Sequence, residues 1–353
     1  MALYDYGNTR LRARISRLQR IETLESFANL TSIDSLISAL TKTPYQESIE
    51  TALTYAHGYS CVAEAMRREL RGIVVDLQRF YTGSAGEAIN GIFEHNDLLN
   101  IKAILRGLAH EVRLEDIANS LLPLGTLPEP VMLQVAKSKD IHDAISRIVV
   151  YQLPVAKPLL ELKSRHQDLT AARIELALEK WFFRHVLTES DRRMEEHRIL
   201  NEYYSIEADI VNLNNVLRFV NSSEAYDKLG GNVQEYFVAQ GMLSEKKLSA
   251  LCKMASVEEV IQSLVSTRYG GYLMRGLAQY AQTHYLSEFE NQMRQYQLNW
   301  MVGLPKQSPL GIGVPIGYAA MKRSEIRNIR WIAKGIQSSF DPAYIKENLE
   351  RIP

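Results

Sequence analysis

The sequence predicts an all-α protein made of three tandem similar helical units around a pseudo-threefold axis. Three observations predict this: apolar residues recur every three or four positions, sustained period-two runs are absent, and two motifs each occur three times. Ser32, Ile33, Asp34, Leu36, Ile37, Leu40, Thr43 and Tyr45 are matched at identical spacing by Ser256, Val257, Glu258, Val260, Ile261, Leu264, Thr267 and Tyr269. A weaker middle copy runs Asp140, Ile141, Ala144, Ile145, Ile148. The second motif is an acid, an asparagine and a base: Asp97, Asn100 and Arg106, then Asp209, Asn212 and Arg218, then Glu325, Asn328 and Lys334. From Ser32 through Asp140 to Ser256 the steps are 108 and 116 residues, and from Asn100 through Asn212 to Asn328 they are 112 and 116. Steps of this size exceed a solenoid repeat and suit a small domain, so units 1–118, 119–228 and 229–353 are expected.

Each element follows in order. Residues 8–21 carry five arginines and no acid, and a helix there places Arg10, Arg14, Arg17 and Arg20 along one stripe beside an apolar stripe of Leu11, Ile15 and Leu18. The apolar stripe should pack, leaving the basic one to solvent, an acidic partner or anionic headgroups, so Arg10, Arg14 and Arg17 are candidate partner-binding residues. Leu36, Ile37 and Leu40 form the next stripe. Thr43-Pro44 before Gln46, Ser84 before Glu87, and Ser256 before Glu259 read as helix caps, and Asp341-Pro342 as a cap with proline at the first helical position. Ile101, Ile104, Leu105 and Leu108 make the stripe of the first acid-asparagine helix. Gly58, Gly83, Gly107, Gly241 and Gly335 are expected helix stops. The proline-rich stretch 121–130 cannot be one helix and should join the first two units. The stretch from Gly303 to Gly317, with Pro305, Pro309 and Pro315, should be the longest irregular segment, a structured loop.

Bulk properties exclude several classes. The chain has 353 residues, with Lys plus Arg and Asp plus Glu both 41, so it has no global positive field for nonspecific nucleic-acid binding. Cys61 and Cys252 are the only cysteines, too few for a disulfide framework or a paired-cysteine metal motif. No apolar stretch approaches the roughly 20 residues that a spanning helix needs, so at a membrane another subunit must hold the chain.

Motifs that could carry chemistry do not assemble. Gly311-x-Gly313-x-x-x-Gly317 has the wrong spacing for a dinucleotide loop, Pro315 interrupts it, and no strand precedes it. There is no Gly-x-x-x-x-Gly-Lys-Ser/Thr loop. His185 with Glu189, and Arg193 with His197, share a helical face but lack the converging ligands of a metal site. No catalytic residue, metal site or cofactor is expected. The repeated acid, asparagine and base admit two readings. They could hold one helix against its neighbours through buried hydrogen bonds and an ion pair, or one polar member of each unit could face a partner.

Tyr4-x-Tyr6-x-Asn8-Thr9-Arg10-x-Arg12-Ala13, Asn100-x-Lys102-x-Ile104-Leu105-Arg106-Gly107, and Pro309-x-Gly311-x-x-Pro315-x-x-Tyr318 followed by Glu325-x-x-Asn328-x-Arg330 stand in order along the chain. Together they resemble the C subunit of the archaeal and bacterial vacuolar-type (A/V-type) ATPase/ATP synthase, the relative of the d subunit of the eukaryotic vacuolar ATPase. The resemblance covers nearly the whole chain. It implies a non-catalytic, funnel-shaped helical protein on the cytoplasmic face of the membrane proteolipid ring, receiving the foot of a central shaft made of the D and F subunits. Its partners would then be proteins of that complex, with no nucleic acid and no membrane span of its own. The middle unit departs from the repeat, with Leu153 where the others have Tyr45 and Tyr269, and the third ends in Lys334 where the others have arginine. A helical-repeat scaffold for soluble partners is the alternative reading.

Overall fold

The computed structural model describes residues 3–164, 170–188, 195–222 and 233–352. Among these the secondary structure is helical throughout, with no strand. The chain divides into two compact units, one formed by residues 1–97, 122–126 and 301–353, the other by 98–121 and 127–300.

In the first unit the N-terminal helix Asp5–Ile15 and the helix Gly58–Phe80 both pack on the long helix Gly313–Gln337, and Gln46–Leu53 packs on Gly58–Phe80. Leu36, Ile37 and Leu40 are buried as their spacing requires. Each such aliphatic side chain contributes roughly 1.5–3 kcal/mol when removed from water. In the second unit the helices Ala156–Ser164, Ala171–Thr188 and Glu195–Asn221 pack in succession. Ile206, Ile210, Leu213 and Val216 then face Val257, Val260, Ile261 and Tyr269 across the core.

Local signals explain several starts. Ser32 accepts from the Ser35 amide, Asp140 from the Asp143 amide, Ser256 from the Glu259 amide and Asp341 from the Ala343 amide. Glu259 in turn accepts from the Ala255 amide at 3.0 Å, a reciprocal arrangement at the same helix start. Thr43 is not a cap. Its hydroxyl donates to the Leu40 carbonyl and accepts from the Tyr45 amide, bridging two helices, and the next helix starts at Gln46. Ser84 lies inside a helix that begins at Gly83.

Three further expectations are corrected. The arginine-rich helix ends at Ile15 and a new helix runs Ile21–Ala28, so Leu18 and Arg20 lie in the connection and Ile15 and Leu18 are only half-buried. The five glycines do not stop helices. Gly58 and Gly83 open them with φ of 56° and 60°, Gly107 and Gly335 sit inside them, and Gly241 lies in a connection. Gly107 and Gly335 are small for packing reasons: a Cβ there would stand 2.6 Å from Ile117 Cγ1 and 2.6 Å from Ile345 Cδ1. Finally, 303–317 is mostly helical, because Ser287–Gln307 continues through Pro305 and the next helix starts at Gly313. Pro315 occupies that helix's first turn, where a missing N–H is tolerated, and Pro305 packs where Gly317 has no side chain.

Candidate functional site

The three long helices Gly83–Ala109, Glu195–Asn221 and Gly313–Gln337 carry the repeated acid, asparagine and base. All three acids and all three asparagines are buried. Buried polar groups need partners, and the acids find theirs by one rule. Asp97 accepts from the Thr126 amide at 2.8 Å and the Thr126 hydroxyl at 2.6 Å. Asp209 accepts from the amides of Met242 at 3.0 Å and Leu243 at 3.1 Å. Glu325 accepts from the Gln19 amide at 2.7 Å. Thr126 lies 14 residues before Asp140, Leu243 13 before Ser256, and Gln19 13 before Ser32. Each acid therefore grips the backbone that opens the following copy of the first motif, and the third acid grips the first copy.

The tyrosine of that first motif completes the contact. Tyr269 donates to Asp209 at 2.7 Å. Tyr45 is buried beside Glu325, and burial together with that carboxylate raises its pKa well above the ordinary value. The middle copy has Leu153 at this position, and there the Thr126 hydroxyl supplies the donor to Asp97. Gly125 and Gly241 lie so close to the carboxylates of Asp97 and Asp209 that a Cβ at either would collide with them.

The asparagines work alongside. Asn212 donates to the Ala239 carbonyl at 2.8 Å and accepts from the Val238 amide at 2.9 Å. Asn328 does both to one residue, Glu350, at 2.9 and 2.8 Å. An amide side chain matches a peptide's donor and acceptor together, which explains why asparagine stands here. The bases share no role. Arg106 makes a two-pronged bond to Glu175 at 2.8 and 2.6 Å, while Lys102 pairs with Glu179. Arg218 is exposed, with no side-chain hydrogen bond or ion pair among the described residues. Lys334 is exposed beside Gln337 and the ring of Tyr59.

The third acid stands in a second buried cluster that sequence spacing did not show. Lys322 Nζ lies 3.1 Å from Glu69, 3.4 Å from Glu325 and 3.9 Å from the centre of the Tyr45 ring. No periodic signal links Glu69 to Lys322, because tertiary packing alone joins their helices.

The N-terminal arginines separate into different environments. Arg10 is exposed over the Tyr6 ring at 5.3 Å. Arg14 pairs with Asp76 and lies 5.4 Å from the Phe80 ring. Burial raises the Asp76 pKa, and Arg14 opposes that rise. Arg17 is exposed past the helix end. Arg12 donates to the Pro309 carbonyl at 2.8 Å, and Asn8 donates to the Gly311 carbonyl while accepting from Tyr81. The early Tyr-x-Asn-Thr-Arg-x-Arg motif and the late Pro-x-Gly motif therefore form one contact.

Of the pairs weighed for metal binding, Glu189 and Arg193 lie outside the described residues. Among the described residues no cluster of three His, Cys, Asp or Glu side chains could hold a metal ion, and no helix is long and apolar enough to cross a membrane.

Relatives align with nearly the whole chain. It is 24% identical to the A-type ATP synthase C subunit of Methanosphaera stadtmanae, covering 98% of this chain and 87% of that protein. It is 23% identical to the protein of that name in Methanocaldococcus jannaschii, over 99% and 86% of the two chains. With the one from Pyrococcus abyssi the identity is 25% over 98% and 89%. The pattern of the ATP synthase (C/AC39) subunit family matches residues 7–348, nearly the whole chain, and this protein belongs to that family.

Proposed function

We propose that this chain is the non-catalytic central-rotor subunit of an A/V-type ATP synthase, a socket that links a central shaft of the D and F subunits to the membrane proteolipid ring and transmits torque for proton or sodium translocation. The observation that carries the reading is the family match over residues 7–348. Its place is the cytoplasmic face of the membrane, held there by the ring. The three repeat units, 1–118, 119–228 and 229–353, are the working division of the socket. Torque transmission requires stiff joints, and the buried acid and asparagine contacts supply hydrogen-bonded joints at the start of each copy. Arg10, exposed on the first helix, and Arg17, exposed just past its end, are the proposed partner-facing residues, with Arg14 braced against Asp76.

The test is assembly. The purified chain should cofractionate with the proteolipid ring and with the D and F subunits, and an Arg10→Glu, Arg17→Glu variant should weaken at least one of these associations. The expected phenotype is ATP hydrolysis by the soluble head without ion pumping. If the chain associates with neither shaft nor ring, the rotor reading fails and a scaffold for soluble partners takes its place. If only the variant's effect is missing, the arginines are solvated and the interface lies elsewhere.

A further inference from the structure

Asp209 differs from its counterpart in the third repeat in how its charge is held. It is fully buried and is held by three donors, the amides of Met242 and Leu243 and the Tyr269 hydroxyl, with no salt bridge among the described residues. Glu325, by contrast, has Lys322 Nζ at 3.4 Å. The charged and titratable groups that reach Asp209 are few. Tyr269 touches it, its neighbour Arg268 is turned to Glu202 at 2.6 Å, and Tyr296 lies edge-on to Tyr269 at 4.9 Å. On the same helix Glu207 is paired with Arg294 at 2.6 Å and Arg218 is exposed to solvent. Lys247 donates to the Ser263 carbonyl, Glu259 accepts from Ala255, and Glu175 and Glu179 hold Arg106 and Lys102.

We propose that Asp209 is a proton-tightened latch: the segment Gly241–Leu243 is held fastest when the carboxyl is protonated and opens more readily when it is ionised. The reason is desolvation. Asp209 is taken wholly out of water and the nearby cation Arg268 is paired with Glu202, so at this site the hydration lost outweighs what three donors and Arg268 return. Burial accordingly pushes the Asp209 carboxyl from its ordinary 3.8 up to about 6, although Tyr269 and the two amides pull the other way. Opening the segment admits water and restores the ordinary value. Between those two values the closed form holds a proton that the open form lacks, so rising pH favours opening until the closed form is itself ionised. The hydroxyl of Tyr269 can turn from donor to acceptor when the carboxyl carries its proton, so both charge states fit the closed geometry.

Amide hydrogen exchange on the full chain tests this, corrected for intrinsic rates, from about pH 5 to about pH 7.5. The readout is the protection of Met242 and Leu243 relative to Val238, whose amide donates to Asn212, an acceptor that does not titrate, one turn further along the same helix. The ratio should fall about tenfold across that range. Asp209→Asn should flatten the dependence. Tyr269→Phe removes a donor to the ionised carboxylate and should move the midpoint upward, which keeps the test open should Asp209→Asn fail to fold. A constant ratio in the unmodified chain, or a loss of protection at Val238 in step with the other two, overturns the latch.

Discussion

At the scale of single residues, buried polar groups make the sharpest predictions. Asn212→Ala removes two hydrogen bonds and leaves the Val238 amide and Ala239 carbonyl without a partner, so it should destabilise the fold by about 2–4 kcal/mol in urea titration. Lys334→Ala, at an exposed position, should stay within about 0.5 kcal/mol. Equal losses at the two sites would show that the motif acts as a charged unit. Asp209 adds a pH dependence whose sign follows from its raised pKa. The folded state binds the proton more tightly than the unfolded one, so Asp209's contribution to stability is greatest below about 4. That contribution falls as pH rises and levels off above about 6, a change of at most about 3 kcal/mol. Denaturation curves of the unmodified chain and Asp209→Asn across that window should diverge in this direction.

At the scale of elements, the joints between helices rest on close approach. Ile345 packs against Gly335, where no Cβ intervenes. Gly335→Ala should therefore cost about 1–3 kcal/mol by overpacking, and Ile345→Val should recover part of it in a double-mutant cycle. Additive losses would mean that the two helices move apart freely. On the first helix, Leu11→Glu buries an unpaired charge and should abolish cooperative folding, whereas Arg10→Glu and Arg17→Glu should leave helix content unchanged by circular dichroism. Arg14→Glu belongs between them, because it sets a carboxylate against Asp76.

At the scale of the molecule, the proposed rotor role implies no catalysis by this chain alone. Titration of the isolated chain with ATP and magnesium should give no saturable signal. A specific complex at physiological nucleotide concentration would contradict a purely mechanical role. The repeated joints also predict where damage travels: each acid lies on one copy's helix and holds the next copy's opening backbone, so Asp97→Ala should loosen the segment around Thr126, well beyond the end of its own helix. Hydrogen exchange at Thr126 reads this directly.

Much of this was legible in the chain. Helical class, the cap residues Ser256 and Asp341, the buried stripe of Leu36, Ile37 and Leu40, and the repeated acid and asparagine all follow from short-range periodicity and local hydrogen bonding, which sequence spacing encodes. The family resemblance was legible too, because its motifs stand in order. What spacing could not encode is what each buried polar group meets. Glu325 finds Gln19, Asn8 finds Gly311, and Lys322 finds Glu69 across long sequence separations. Helix ends escape sequence spacing for the same reason. Glycine at positions 107 and 335 answers to a neighbouring isoleucine, and Pro305 stays helical because Gly317 makes room for it. A residue's own propensity speaks for itself and its near neighbours. The desolvation that forces a carboxylate onto a distant amide, and the volume that only a missing side chain can yield, exist once the helices have packed.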